Sequence, residues 1–90
     1  MPFLLIKHEV EDFDHWKTAY DEHKSVRDQM DLKELYLLQN THNHNEVVLL
    51  FQAKSEGKAL EFMESKDLEQ AMKEAGVLGT PEMHILREAS

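Results

Sequence analysis

The spacing of apolar residues predicts a strand and then a helix in the first third of the chain. Residues 3–10 (FLLIKHEV) form an apolar run that ends in alternation, which is typical of a β-strand. Apolar positions then recur every three or four residues from Phe13, so we predict a helix that ends near Met30. Asp12 or Asp14 is expected to cap it, because a carboxylate accepts hydrogen bonds from free first-turn N–H groups.

The middle of the chain predicts a β-hairpin. Residues 33–39 (KELYLLQ) and 46–53 (EVVLLFQA) are rich in residues that favour strands. Residues 40–45 (NTHNHN) have the Asn-rich polar composition of a hairpin loop. His42 and His44 in this loop are expected to be solvated rather than to bind a metal, because a mobile turn offers no third ligand nearby.

The remaining residues predict an interrupted helical region and a final strand. Ser55 is a suitable N-cap, and the helical pattern restarts at a capping box that begins with Asp67. Gly76 is a natural helix terminator. Residues 79–81 (GTP) are expected to turn the chain into a strand over residues 82–88.

The resulting order is β-α-β-β-α-β, which predicts one α+β domain over residues 1–90. Two β-α-β halves form a ferredoxin-like fold, with an antiparallel four-stranded sheet in the strand order 4-1-3-2 and both helices on one face. Neither an internal repeat nor a low-complexity segment divides the sequence.

The predicted strands are apolar on both sides, although two helices can cover only one face of a sheet. In the first strand, Leu4 and Ile6 lie on one side and Phe3 and Leu5 on the other. The two hairpin strands also carry apolar residues on both sides. An open apolar face of this size is unfavourable on a monomer, so we predict a homodimer that packs sheet against sheet.

Composition narrows the classes of partner. The chain carries 18 acidic and 10 basic residues and a formal charge of −8, which repels phosphate backbones and anionic lipids. We therefore expect neither nucleic-acid nor membrane binding. The sequence contains no cysteine, and its apolar start is too short for a signal peptide. Both features suit a cytoplasmic protein.

Three segments carry a resemblance to a known superfamily: residues 12–17 (DFDHWK), 45–48 (NEVV) and 75–81 (AGVLGTP). With them the chain resembles the dimeric α+β barrel superfamily, and within it short bacterial proteins related to the antibiotic biosynthesis monooxygenases. The superfamily also includes haem-degrading enzymes and muconolactone isomerases. The resemblance implies that two sheets form a barrel and that each subunit keeps a pocket between its sheet and its helices.

The catalytic residues of those enzymes do not carry over to this sequence. The cofactor-free oxygenases and haem-degrading enzymes of the superfamily typically have an Asn on the first strand and a Trp later in the chain. Here the first strand has no Asn, and the one tryptophan, Trp16, lies in the first helix. The resemblance therefore implies a fold and the position of a pocket, and it leaves the reaction open.

Four residues of the first helix share one face at helical spacing: Trp16, Tyr20, His23 and Arg27. Apolar walls with a few polar groups are typical of a small-ligand site. We assign His23 as the hydrogen-bonding or catalytic proton-transfer group, because an imidazole titrates near neutrality. Trp16 and Tyr20 would be the walls, and Arg27 an anion anchor at the mouth. The alternative is a core histidine with a local partner and an Arg27 whose head group reaches water.

Three further residues are assigned to the same ligand site. His8 lies on the side of the first strand that carries Leu4 and Ile6, and His84 lies on the neighbouring fourth strand. Phe62 lies on the inner face of the second helical region. Neither an HExxH motif nor a glycine-rich phosphate loop is present, so we expect no metal and no cofactor.

Two hypotheses on function follow from the sequence. The first is a binding protein for a small apolar or aromatic molecule, or an enzyme of the monooxygenase or isomerase type, with a pocket between the first helix and the sheet. The alternative is a non-catalytic dimerisation or regulatory module without a ligand. Its cleft would be filled by large adaptable side chains, namely Phe62, Met63, Met72 and Met83.

Overall fold

The computed structural model describes residues 1–89 and has the predicted ferredoxin-like α+β fold. All strand pairs are antiparallel, and the sheet order is β2-β3-β1-β4, as predicted. Within residues 1–89, no helix has the length and hydropathy needed to span a membrane. The elements are β1 (Phe3–Val10), α1 (Phe13–Glu22), α2 (Lys24–Gln29), β2 (Leu32–Asn40), β3 (Asn43–Ala53), α3 (Glu56–Met63), α4 (Lys66–Glu74) and β4 (Val77–Leu86).

The inner face of the sheet carries the core. Leu4 pairs with Phe51 and Ile6 with Leu49 across the central strands β1 and β3, and these side chains are almost fully buried. His8 follows on the same side of β1 and is also buried. The helices pack over this face, so an imidazole lies where the alternation of β1 otherwise places aliphatic residues.

The outer face of the sheet is apolar too, in agreement with the sequence. Leu5 pairs with Leu50 in β3, and Tyr36 in β2 pairs with Leu50 from the other side. Tyr36 remains 59% exposed and Leu38 51% exposed. This face therefore leaves large apolar side chains in contact with water.

The first helix is shorter than predicted. Asp12 caps α1 by accepting a hydrogen bond from the His15 N–H (3.2 Å). The helix then breaks at His23 (φ −88°, ψ 5°), whose N–H is shared between the carbonyl oxygens of Ala19 and Tyr20 (3.2 Å each). The chain restarts as α2. His23 therefore lies in a tight turn between two helices, and the predicted continuous helix to Met30 is wrong.

The second helical region is interrupted where the sequence indicates, but the capping residue differs. Ser65, and not Asp67, is the N-cap of α4, since its hydroxyl oxygen accepts a hydrogen bond from the Leu68 N–H (3.1 Å). Ser55 caps α3 in the same way, as predicted. Gly76 follows the last turn of α4 at φ +81°, a left-handed conformation that glycine adopts without a steric penalty.

The hairpin loop is much shorter than the predicted loop over residues 40–45. Only Thr41 and His42 lie outside the strands. The Asn40 side-chain oxygen accepts a hydrogen bond from the His42 N–H (2.8 Å) and so imitates a backbone turn. The Asn-rich composition therefore belongs to a tight turn with long strands, and not to an extended loop.

The last strand begins earlier than predicted. β4 starts at Val77, and residues 79–81 lie inside it rather than in a preceding turn. The pairing with β1 shifts between Lys7 and Glu9, which marks a bulge, and Gly79 there has φ +65°. A Gly-Thr-Pro sequence can thus sit within an edge strand when a bulge absorbs its irregular backbone.

Candidate functional site

A cavity of about 50 Å³ lies between the sheet and the helices α1, α2, α3 and α4. Its walls are mostly apolar and include Leu49, Phe51, Leu68 and Met72. Six of the residues assigned to the site from the sequence line this cavity: His8, Trp16, Tyr20, His23, Arg27 and Phe62. Pockets for drug-sized ligands measure about 300–1,000 Å³, so a ring-sized ligand requires side chains to move apart here.

The polar wall is built as a stack of flat side chains. The indole ring of Trp16 lies 4.8 Å from the Tyr20 ring at an interplanar angle of 16°. On one side, the His8 ring meets Trp16 edge-on, with centroids 5.5 Å apart. On the other, the Arg27 guanidinium carbon lies 3.7 Å from the centre of the Tyr20 ring. Helical spacing in α1 supplies the two central rings, and β1 and α2 supply the ends.

His8 is the least satisfied polar group of the site. The residue is only 7% exposed, and within residues 1–89 neither ring nitrogen has a hydrogen-bond partner. Burial lowers the pKa of His8 to about 4, because the charged imidazolium cannot be solvated there. At neutral pH the ring is therefore uncharged, and it presents one N–H donor and one nitrogen acceptor.

Tyr20 is held in place by Glu34 of β2. The Tyr20 hydroxyl donates a hydrogen bond to Oε1 of Glu34 (2.8 Å). Burial, followed by this hydrogen bond, raises the pKa of Tyr20 well above its usual range. The phenol therefore stays protonated at neutral pH and acts as a wall of the site rather than as a base.

Arg27 is buried, which removes the alternative that its head group reaches water from the rim. The residue is 6% exposed, and its Nη1 donates a hydrogen bond to the carbonyl oxygen of Tyr20 (2.8 Å). Arg27 also lines a separate polar groove between α1, α2 and β2. It thus separates the apolar cavity from this groove.

His23 reaches the cavity from the turn between α1 and α2. Its Nε2 lies 3.2 Å from Oδ2 of Asp67, so the imidazole connects the turn between α1 and α2 to α4. A carboxylate beside an imidazole is an arrangement that orients a catalytic histidine. The proton-transfer role of His23 stays a prediction.

His84 lies on the other face of the sheet, so its assignment to the cavity is corrected. It pairs with Leu5, whose side chain points away from the helices, and its Nε2 lies 3.2 Å from Oε1 of Glu82. The neighbouring residues Met83 and Ile85 face the core instead. The error arises because the register of β4 depends on its pairing with β1, which a single strand's alternation does not reveal.

Two partners of the site residues carried no recognisable signal in the sequence. Glu34 is 14 residues from Tyr20, and Asp67 is 44 residues from His23. Asn45, by contrast, belongs to a segment that carries the resemblance. Its side-chain oxygen accepts a hydrogen bond from the Phe13 N–H (3.0 Å), so it fixes the start of α1 against β3. Among residues 1–89, no three metal-ligating His, Asp or Glu side chains converge.

Solved structures of other proteins share this architecture. The chain aligns over 100% of its length with 100% of a protein from Nitrosomonas europaea described as an antibiotic biosynthesis monooxygenase, at 14% identity and a TM-score of 0.71. A similarly described protein from Bordetella bronchiseptica aligns with 99% of this chain, and the alignment spans 97% of that protein. The two are 9% identical, with a TM-score of 0.78. The chain shares their fold.

A third similar structure has a defined chemistry. SnoaB, a cofactor-independent oxygenase from Streptomyces nogalater, aligns with 99% of this chain, and the alignment spans 93% of SnoaB. The two are 8% identical, with a TM-score of 0.75. No family model and no curated protein matches the sequence. At these identities the likeness establishes a common fold and leaves the site residues to be interpreted from their own geometry.

Proposed function

We propose that this protein binds a small apolar molecule in the cavity beneath α1, with His8 as the polar contact of that molecule. The observation that carries the proposal is the buried His8 imidazole, which lines the cavity and has no partner within residues 1–89. Leaving a buried donor and acceptor unpaired costs about 1–3 kcal/mol each. A ligand with a hydroxyl or carbonyl group would remove that cost, whereas a leucine would serve a plain core better.

The cavity volume limits the ligand in the closed protein. About 50 Å³ accommodates a few water-sized groups. Met72 is only partly buried on the cavity wall, and methionine side chains repack readily, so it is the residue that we expect to move when a larger ligand enters. The same small volume favours the alternative, a module without a ligand, and the two must be separated by a binding experiment.

Trp16 provides the assay, because it is the single tryptophan of the chain and lies in the cavity wall. Its emission should change when a ligand enters. We would titrate the protein with cyclohexanol and with methylcyclohexane, which has a similar shape but no hydroxyl group. Replacing His8 by leucine should weaken cyclohexanol binding about fivefold, since a neutral hydrogen bond contributes about 1 kcal/mol. It should leave methylcyclohexane binding unchanged.

His42→Leu is the matched control, since His42 lies in the exposed hairpin turn. It should bind both compounds as the unsubstituted protein does. Native mass spectrometry of freshly purified protein would show whether a cellular compound is retained. Absence of any Trp16 response, together with a compound-free spectrum, would support the module without a ligand.

We further propose that a second copy of the chain covers the outer sheet face. The exposed side chains of Tyr36 and Leu38 support this assembly, and light scattering should give about twice the 10.6 kDa chain mass. Tyr36→Glu with Leu38→Glu should yield a monomer. Leu60→Glu, an equally exposed apolar site on α3, should not. A monomer at micromolar concentration of the unsubstituted protein would contradict the proposal.

In a catalytic form of this function, His23 would move the proton. The contact with Asp67 supports this role, because the carboxylate can orient the imidazole. SnoaB has a similar fold and catalyses oxygenation without a cofactor. With a retained compound in hand, His23→Gln should lower its rate of conversion, whereas His42→Leu should not.

A further inference from the structure

We propose that the ligand of this site is a small, mostly apolar carboxylate, with its carboxylate on Arg27 and a hydroxyl or carbonyl group of its apolar end on His8. This inference rests on the proposed function, since it names the class of molecule that the same cavity would bind. It depends on the charge balance around Arg27, which is independent of the state of His8.

Arg27 is a cation that is almost fully buried in the part of the chain that the structure describes. Within residues 1–89 its guanidinium forms no ion pair, and it donates one hydrogen bond, to the carbonyl oxygen of Tyr20. The guanidinium has five N–H donors, so four remain for another acceptor. Burial of a charged group is strongly unfavourable unless the group is paired. The contact with the Tyr20 ring offsets only part of that cost.

The groove beside Arg27 favours a ligand with a single negative charge. Four cations line it, namely Lys17, Lys24, Arg27 and Lys33, against three carboxylates, Asp21, Asp28 and Glu34. Lys17 and Lys24 are already paired with Asp21 and Asp28 (2.7 and 2.8 Å), and Glu34 accepts the Tyr20 hydroxyl. The groove thus has one excess positive charge in a chain of net charge −8. A dianion such as phosphate would meet these three carboxylates.

The position of Arg27 sets the shape of the ligand. Arg27 lines both the apolar cavity of about 50 Å³ and the polar groove of about 440 Å³. One molecule can therefore place a hydrocarbon end in the cavity and a carboxylate at the guanidinium. The planar guanidinium can bind a carboxylate through two parallel hydrogen bonds, which a lysine ammonium does not reproduce.

Hexanoate and hexanamide test this inference, because they share a shape and differ in charge. Trp16 emission would report the dissociation constant of each. The unsubstituted protein should prefer hexanoate by about 10- to 100-fold, the range that a hydrogen bond to a charged group provides. Arg27→Gln should abolish the preference while hexanamide still binds, which also shows that the variant is folded.

Two further variants make the test specific. Lys24→Gln removes a cation from the same groove without reaching the cavity, and it should retain the preference for hexanoate. Arg27→Lys should retain a reduced preference, and it decides the question if Arg27→Gln does not fold. Equal binding of hexanoate and hexanamide to the unsubstituted protein overturns the inference and leaves the proposed function intact. An equal loss of preference in Lys24→Gln and Arg27→Gln also overturns it. If hexanoate, hexanamide and cyclohexanol all leave Trp16 emission unchanged, the proposed function itself fails.

Discussion

Replacing His8 by leucine should remove a large pH dependence of stability. The native pKa of His8 is about 4, whereas its value in the unfolded chain is near 6.5. Between these values the unfolded state binds the proton and the native state does not, so acid favours unfolding. Each pKa unit corresponds to about 1.4 kcal/mol. The native state should therefore lose about 2 kcal/mol between pH 7 and pH 5, and about 3 kcal/mol in all by pH 4, through this one residue.

Urea denaturation at fixed protein concentration, followed by circular dichroism at pH 7 and pH 5, measures the effect. The difference in unfolding free energy between His8→Leu and the unsubstituted protein should grow by about 2 kcal/mol on acidification. At pH 7 the variant should be at least as stable, because it no longer buries an unpaired polar group. His8→Gln separates titration from packing, since it should show the same loss of pH dependence. If both variants followed the unsubstituted protein within about 0.5 kcal/mol at the two pH values, the assignment of His8 as a buried neutral imidazole would be refuted.

The same denaturation assay tests the structural residues. Gly76→Ala should lose about 1–2 kcal/mol, because Gly76 has φ +81°; Gly57→Ala, in the first turn of α3, should gain up to about 1 kcal/mol and serves as its control. Asn45→Ala should cost about 1–2 kcal/mol, because the Phe13 N–H at the start of α1 loses its acceptor; an unchanged midpoint would show that water replaces the side chain. Phe62→Ala should cost about 3–5 kcal/mol, because the ring is fully buried, and a smaller loss would mean that the cavity collapses around it.

Local periodicity predicted most of the fold and brought together most of the residues that line the cavity. Alternation in β1 placed Leu4 and Ile6 on one face because strand geometry has a period of two, independent of the rest of the protein. Helical spacing likewise placed Trp16 and Tyr20 on one side of α1, and the stack of their rings follows from it. These features depend on a few consecutive residues, so the sequence contains them directly.

The features that escaped prediction depend on contacts between distant segments. The face on which His84 lies is set by the pairing of β4 with β1 across a bulge. The sequence pattern favoured His23 over His8 as the polar group of the site for the same reason, because contacts between distant segments distinguish the two. Both residues line the cavity, but only the folded surroundings show that His23 has a partner in Asp67 and that His8 has none within the described residues. The spacing of residues along the sequence identifies candidate site residues, whereas their hydrogen-bond partners can be assigned only from the structure.

The irregular start of β4 makes this edge of the sheet a poor template for strands of other chains. A regular edge strand offers its free N–H and C=O groups as a template for strands of other chains, which leads to open-ended assembly. Here the bulge near Gly79 distorts that edge, and Pro81 lacks an N–H to donate. Without this distortion, the same molecule would carry both an exposed apolar face and a regular, exposed strand edge. A blunted edge suits the proposed face-to-face dimer, which would close after two copies.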